Sequence, residues 1–279
     1  MPLDDQARLA ALPEQQHLRD GEIGITWLGT AGHIIRGASF TILIDPYVTR
    51  LSLKQVAGGF ATPDETLVAR VFKKADYIFI SHSHFDHLLD APAIARHTGA
   101  LLVGSRDTCN AAIGYGLAPE RCRVIYHGDE VDFGGFTLRA IPSVHAGVFA
   151  GEEPFPGHIT RPFNWPAKAD RFRTGDVFSF LFDFHPLTVY HNGSADLLDK
   201  YLAGVHADIA LVGVASSQFT KNYFQRLLAP LAPRVIIPTH FDDFFVEFRE
   251  PAPHLLGVNL PRLIAEARQL CPQAEIVIP

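Results

Sequence analysis

The sequence predicts an α/β fold: a four-layer αββα sandwich of two mixed sheets packed together, with helices outside. Three observations lead to it. The chain runs through β-rich segments with helices and then repeats that order in its second half. Short continuous apolar runs, such as YIFI at 77–80, mark strands buried on both faces. No shift in composition marks a linker, so residues 1–279 read as one domain, with 1–20 as a polar N-terminal extension and 146–176 as an inserted loop.

The elements follow in order. A short helix is expected around 4–12. Residues 23–28 (IGITWL) are β-rich and run into the turn Gly29-Thr30-Ala31-Gly32. Residues 33–36 and 41–44 form a hairpin pair ending at Asp45-Pro46. A looser stretch centred on Gly58-Gly59 precedes a helix over 63–74, capped by Thr62 or Asp64. After the strand at 77–80 come a helix over 89–97, a strand over 100–103, a helix over 107–114 and a strand over 123–126. Gly134-Gly135 turns a hairpin between 130–133 and 136–141. A second hairpin joins 177–184 to 187–191, and Phe178, Phe180, Phe182 and Phe184 alternate as a core-facing row. A helix over 196–202, a strand over 209–212 and a helix over 223–231 follow. The chain closes with a strand over 235–237, an amphipathic helix from Leu260 to Leu270, and a short strand at 276–278.

Composition narrows the chemistry. The chain is 47% hydrophobic and 19% charged, enough for a substantial core and too apolar for disorder. Twenty-four Lys and Arg against 30 Asp and Glu leave a net charge of −6, which argues against a nucleic-acid partner. No apolar run is long enough to span a bilayer, and the N-terminus lacks the basic and apolar regions of a signal peptide. Three scattered cysteines exclude a disulfide framework and a Cys-rich metal site, which suits the cytoplasm. Fourteen histidines leave imidazole as the candidate metal ligand.

His82, His84, Asp86 and His87 form H-x-H-x-D-H directly after the strand at 77–80. Residues two apart leave a strand pointing the same way, so His82 and His84 can chelate one cation. Asp86 and His87 lie on the following turn and can face a second. Neutral imidazoles with a carboxylate are borderline ligands that suit zinc.

A buried strand ending in this motif resembles the metallo-β-lactamase superfamily, whose αββα sandwich matches the predicted layers. The resemblance runs from Trp27-Leu28-Gly29 to the C-terminal helix. It implies that Asp45, in Ile44-Asp45-Pro46, accepts hydrogen bonds that orient the metal-binding loop; the residues alone would equally allow a turn residue before Pro. It further implies that His145 completes a site with His82 and His84, and that His240, in Pro238-Thr239-His240, joins Asp86 and His87. Zinc, one or two per chain, is the implied cofactor, with Mn(2+) or Fe(2+) as alternatives. Asp86 would orient a metal-activated water and shuttle its proton.

One departure stands out. The family's bridging Asp follows a Gly, and here Tyr190-His191-Asn192-Gly193-Ser194 places Ser194 in that position. A neutral hydroxyl is a weak ligand, so the second metal should bind less tightly. Asp196 could substitute, although it reads first as the N-cap of the following helix; His191 or Asn192 could also turn inward. His33, in the Gly32-His33 pair, is a further site-lining candidate, and His158 and His185 are candidates to line a pocket.

The 146–176 insert is rich in turn formers and aromatics, as lids and pocket walls are. Phe149, Phe155, Phe163, Trp165 and Phe172, with Phe241 and Phe244 after the last ligand, are candidates to wall a partly apolar pocket. For any one of them, anchoring of its loop is the equal alternative. The leading functional expectation is a metal-dependent hydrolase acting on a small-molecule lactone, ester or phosphodiester, with homo-oligomerisation left open. Two alternatives stand beside it: a weakly active or non-catalytic metal-binding protein with a degenerate second site, motivated by Ser194, and a mononuclear-iron oxidoreductase.

Overall fold

The computed structural model describes residues 18–148, 151–248 and 251–279, so the helix expected around 4–12 and Phe149 lie outside the described residues. The chain forms two compact units. The first comprises residues 1–125, 155–176 and 242–253, and the second comprises 126–154, 177–241 and 254–279. Each contains one mixed sheet with its own helices, which is the α/β class the sequence predicts.

The first unit holds a six-stranded sheet in the order β1 (Gly24–Trp27), β2 (His33–Arg36), β3 (Thr41–Ile44), β4 (Tyr77–Phe79), β5 (Leu101–Gly104) and β6 (Cys122–Val124). β1, β2 and β3 pair antiparallel, and β3 to β6 pair in parallel. The parallel strands need crossovers, supplied by α1 (Leu53–Gly58), α2 (Glu65–Val71), α3 (Phe85–Leu88), α4 (Ala91–Thr98) and α5 (Arg106–Tyr115). Because β1, β3, β4 and β5 run the same way, their carboxyl ends share one sheet edge. Asp45 and the His82–His87 segment both leave from that edge, where α/β sheets place their ligand sites.

The second unit holds a seven-stranded sheet ordered β13-β12-β11-β10-β9-β8-β7. Its strands are β7 (Glu130–Asp132), β8 (Thr137–Pro142), β9 (Phe178–Asp183), β10 (Thr188–Asn192), β11 (Ile209–Gly213), β12 (Val235–Thr239) and β13 (Glu275–Ile276); its helices are α6 (Tyr223–Leu231) and α7 (Leu260–Leu270). β7 to β10 pair antiparallel and β10 to β13 in parallel. β8, β10 and β12 therefore point the same way, and His145, Ser194 and His240 all follow strand ends on one edge. The Phe178, Phe180, Phe182 and Phe184 row is buried, as its period-two spacing predicts.

Three elements differ from the sequence expectation. The helix expected over 89–97 is α4, which begins at Ala91 with Pro92 in its first turn, but a separate single-turn helix, α3, precedes it over residues read as a loop. The helix expected over 196–202 is a single 3-10 turn, Asp199–Tyr201. Leu198 there is extended, and Arg226 of α6 draws Asp196 and Asp199 into ion pairs at 3.2 and 2.8 Å. Conversely, α1 forms in the stretch read as loose. None of its residues is buried, and the signal for it is local: Ser52 and Gln55 close a capping box.

Candidate metal centre

β4 ends at Phe79, and the backbone then carries Ser81, His82 and Ser83 into α3, where Asp86 and His87 occupy the first turn. All four motif side chains are buried. The His82 ring centroid lies 4.8 Å from that of His84 and 3.9 Å from that of His87, and His87 Nε2 lies 3.5 Å from an Asp86 carboxylate oxygen. Three imidazoles this close cannot all be cationic. Buried imidazoles beside a carboxylate match the donors of a borderline divalent cation such as zinc, so the residues present fit a metal.

Asp45 organises this cluster from the end of β3. Its backbone is left-handed (φ 43°), a conformation that Asp tolerates better than most residues. The carboxylate accepts from the Ser81 N–H at 2.7 Å, from the Ser81 hydroxyl, and from His87 Nδ1 at 2.8 Å. With its proton committed to Asp45, the Ser81 hydroxyl accepts from His82 Nδ1 at 3.1 Å. One buried carboxylate thereby assigns both rings the tautomer whose Nε2 is basic. Burial opposes protonation of His87, but the Asp86 and Asp45 carboxylates outweigh it and hold its pKa above the ordinary histidine value.

His84 is oriented from the insert. Its Nε2 lies 2.9 Å from the Thr174 hydroxyl, which donates onward to the Phe155 carbonyl at 3.3 Å, so His84 Nδ1 is the basic nitrogen. Ser83 N–H donates to the Thr174 carbonyl at 2.9 Å, and the Phe155 ring meets the His84 ring edge-on at 6.3 Å. Neither Ser81 nor Thr174 stands out in the sequence. Ser81 could have been found as the hydroxyl next to the motif; Thr174 carries no local signal. His33 is buried at the start of β2, in register with Ile44, and its Nδ1 bonds the Ala31 carbonyl at 2.9 Å.

The second unit places its candidates at the ends of β8, β10 and β12. His145 is half-buried, with Nδ1 bonded to the Ala146 carbonyl at 2.6 Å, which leaves Nε2 basic. His240 is buried, and its left-handed backbone (φ 56°) turns it sharply off β12. Ser194 is buried, and its hydroxyl accepts from the Ala146 N–H at 3.0 Å. It ties the Gly193–Ala195 loop to the residue beside His145. His191 lies within β10, stacked on its cross-strand neighbour Phe180 at 6.4 Å. Asp196 does not cap a helix, for none follows; its carboxylate bonds the Leu197 N–H and Arg226.

The candidate pocket aromatics divide. In the first unit Phe155 faces His84, whereas Phe163 and Trp165 stack on each other (5.9 Å, 3°) and both meet Phe172 edge-on. Trp165 Nε1 donates to the Ala111 carbonyl of α5 at 3.0 Å, and Phe163 approaches α5 so closely that a Cβ on Gly114 would meet its carbonyl oxygen at 2.1 Å. Phe163, Trp165 and Phe172 therefore anchor the insert in the core. The Phe244 and Phe245 rings meet at a tilt, 4.4 Å and 37° apart, and Phe244 packs against the same core. Phe241, in the second unit, is buried against His254 at 5.7 Å. Of the two further histidines, His158 lines a cavity formed by the insert, and His185 is exposed in the β9–β10 turn beside Asp183.

Residues 24–240 match the family described as "Beta-lactamase superfamily domain". The chain is 29% identical over 225 residues to a UPF0173 metal-dependent hydrolase of Carboxydothermus hydrogenoformans, covering 79% of this chain and 85% of that protein. It is 26% identical over 252 residues to a UPF0173 metal-dependent hydrolase of Archaeoglobus fulgidus, covering 89% and 96%. Among solved structures, it resembles Igni18, a metallo hydrolase from Ignicoccus hospitalis (TM-score 0.57, 15% identity, 92% and 94% coverage). It also resembles the metallo-beta-lactamase fold protein YhfI from Bacillus subtilis (TM-score 0.54, 14% identity, 90% and 88% coverage).

Proposed function

The chain belongs to the beta-lactamase superfamily, and on that premise we propose that it is a zinc-dependent hydrolase of a small lactone, ester or phosphodiester. The observation that carries the reading is the buried cluster of His82, His84, Asp86 and His87 at the carboxyl edge of a parallel sheet, with Asp45 setting the tautomers of two of the rings. In this reading His82, His84 and His145 hold one ion, and Asp86, His87 and His240 the other. The bound metal supplies an activated water at neutral pH and a positive charge for the developing oxyanion.

The chain's own groups do the rest. Asp86, beside His87 Nε2, orients the attacking water and takes its proton at a carboxylate oxygen. Thr174 and Ser81 keep the His84 and His82 rings from turning. Phe155 presents an apolar face next to His84, which favours a substrate with an acyl, alkyl or aryl part and keeps bulk water away from the reacting bond. The negative net charge favours a small molecule over a nucleic acid.

Ser194 supports a specific feature of this site, a second ion held less tightly than the first, because a hydroxyl replaces a carboxylate. Metal content per chain, after dialysis against a weak chelator, tests it. Wild type is expected to keep about one ion and Ser194→Asp about two, since Asp can still accept from the Ala146 N–H. Equal, tight occupancy in both overturns the role given to Ser194. The same preparations, offered a lactone, an aryl ester and an aryl phosphodiester, should turn over at least one. Asp86→Asn should lower kcat by roughly a hundredfold or more. Protein purified without any bound metal, or undiminished turnover in Asp86→Asn, would remove the hydrolase reading.

A further inference from the structure

The insert holds a second concave site. A cavity of about 420 Å³ is lined by Pro156, His158, Ile159, Arg161, Arg171 and Arg173. Three arginines thus line one small opening in a chain whose net charge is −6. Among the described residues, no ion pair joins any of the three to a carboxylate. Asp107 of α5 supports two of the lining residues: it accepts from the Ile159 N–H and lies 3.3 Å from His158 Nδ1.

The opening is held in shape by groups that do not need a ligand. Asn110 donates to the Ile159 carbonyl at 2.6 Å and Asp107 accepts from the Ile159 N–H, so α5 holds both backbone groups of this wall residue. Arg171 lies over the Phe163 ring at 5.5 Å, and Arg173 Nη1 donates to the Pro156 carbonyl at 3.1 Å. These contacts hold two of the guanidinium groups in place, which lowers the entropy cost of gripping an anion.

The cavity is distinct from the imidazole cluster. Residues 155–157 pair with 174–175 through Thr174 N–H to Phe155 (3.1 Å) and Gly175 N–H to Gly157 (2.9 Å). Phe155 and Thr174 meet His84, while their chain neighbours Pro156 and Arg173 line the cavity. Consecutive residues of this paired segment thus serve two different sites.

We propose that this cavity binds a phosphate-sized oxyanion, either the free ion or the phosphate group of a larger ligand. The guanidinium fork matches the oxygen pairs of such a group, and clustered positive charge on an otherwise acidic chain draws anions to that one place. The proposal stands independently of the hydrolase reading.

Titration calorimetry of inorganic phosphate into the metal-loaded protein at low ionic strength tests it. One saturable site is expected, weakened about tenfold or more in Arg161→Ala/Arg171→Ala with metal content and melting temperature unchanged. Arg161→Lys should keep part of the affinity, which separates lost charge from lost fold. Chelator-stripped wild type should bind as the loaded protein does. Glycerol phosphate, run in parallel, separates the sources: tighter binding than inorganic phosphate assigns a phosphorylated ligand, equal or weaker binding the free ion. Unchanged affinity in the double variant overturns the proposal, as does loss of binding on stripping the metal, which would place phosphate on the imidazoles. Absence of any saturable binding in wild type overturns it as well.

Discussion

At Asp45 a single carboxylate serves a backbone N–H, a hydroxyl and an imidazole at once, and through them fixes two candidate metal ligands. Asp45→Asn keeps the shape but loses the charge that strengthens the His87 bond, and its amide can no longer accept at both oxygens. We expect metal affinity to fall about 10- to 100-fold, read by competition with a chromogenic chelator, with the circular dichroism spectrum unchanged. Wild-type affinity in this variant would reduce Asp45 to a turn residue before Pro46. Gly29 makes a different kind of demand. Its φ is 82°, and a Cβ there would meet the Arg50 guanidinium at 1.8 Å. That guanidinium is buried in an ion pair with Asp242 at 2.7 Å, and Asp242 also accepts from the Thr30 N–H at 2.8 Å. Removing either partner would strand a buried charge.

Among elements, the junction between α3 and α4 carries a buried carboxylate. Asp90 is the N-cap residue of α4, yet its carboxylate makes no cap hydrogen bond there and turns to the loop after β3, accepting from the Val48 and Thr49 N–H groups at 2.6 and 2.9 Å. Burial pushes the Asp90 pKa up to about 6, against partial opposition from the Thr49 and Val48 hydrogen bonds. A carboxyl whose folded pKa is raised contributes stability that is full below the unfolded value, near 4, and is lost as pH rises through about 6. Asp90→Asn, neutral throughout, should therefore gain on wild type between about pH 4 and pH 6, by on the order of 2 kcal/mol. Thermal melts of both proteins across that window check the sign, and a constant difference would assign Asp90 an ordinary pKa. The insert illustrates the same dependence on packing. Its aromatics look alike in sequence and all pack on the core, yet Phe155 meets His84 while Phe163, Trp165 and Phe172 meet one another.

For the molecule as a whole, a metal bound only by the folded chain adds its binding free energy to stability. Removing the ion with a strong chelator should lower the melting temperature by on the order of 10 °C, and re-adding zinc should restore it. An unchanged melt would mean that these donors hold no ion tightly. Much of this protein was legible beforehand because the signals are local. The H-x-H-x-D-H run, the β2–β3 and β9–β10 hairpins, the Phe178–Phe184 row and the α6 and α7 periodicities each sit within a few residues of one another. Periodicity and turn chemistry act at that range, so the α/β class and the candidate ligands could be read from them. The 3-10 turn at Asp199–Tyr201, the orientation of His84 by Thr174 and the cluster of arginines in the insert could not. Each depends on partners far along the chain: Arg226 lies 27 residues from Asp199, and Thr174 lies 90 from His84. Residue types and spacing determined which groups could bind a metal. Tertiary packing decided which hydroxyls and carboxylates hold those groups in the right tautomer, because such bonds form only once distant segments are folded side by side.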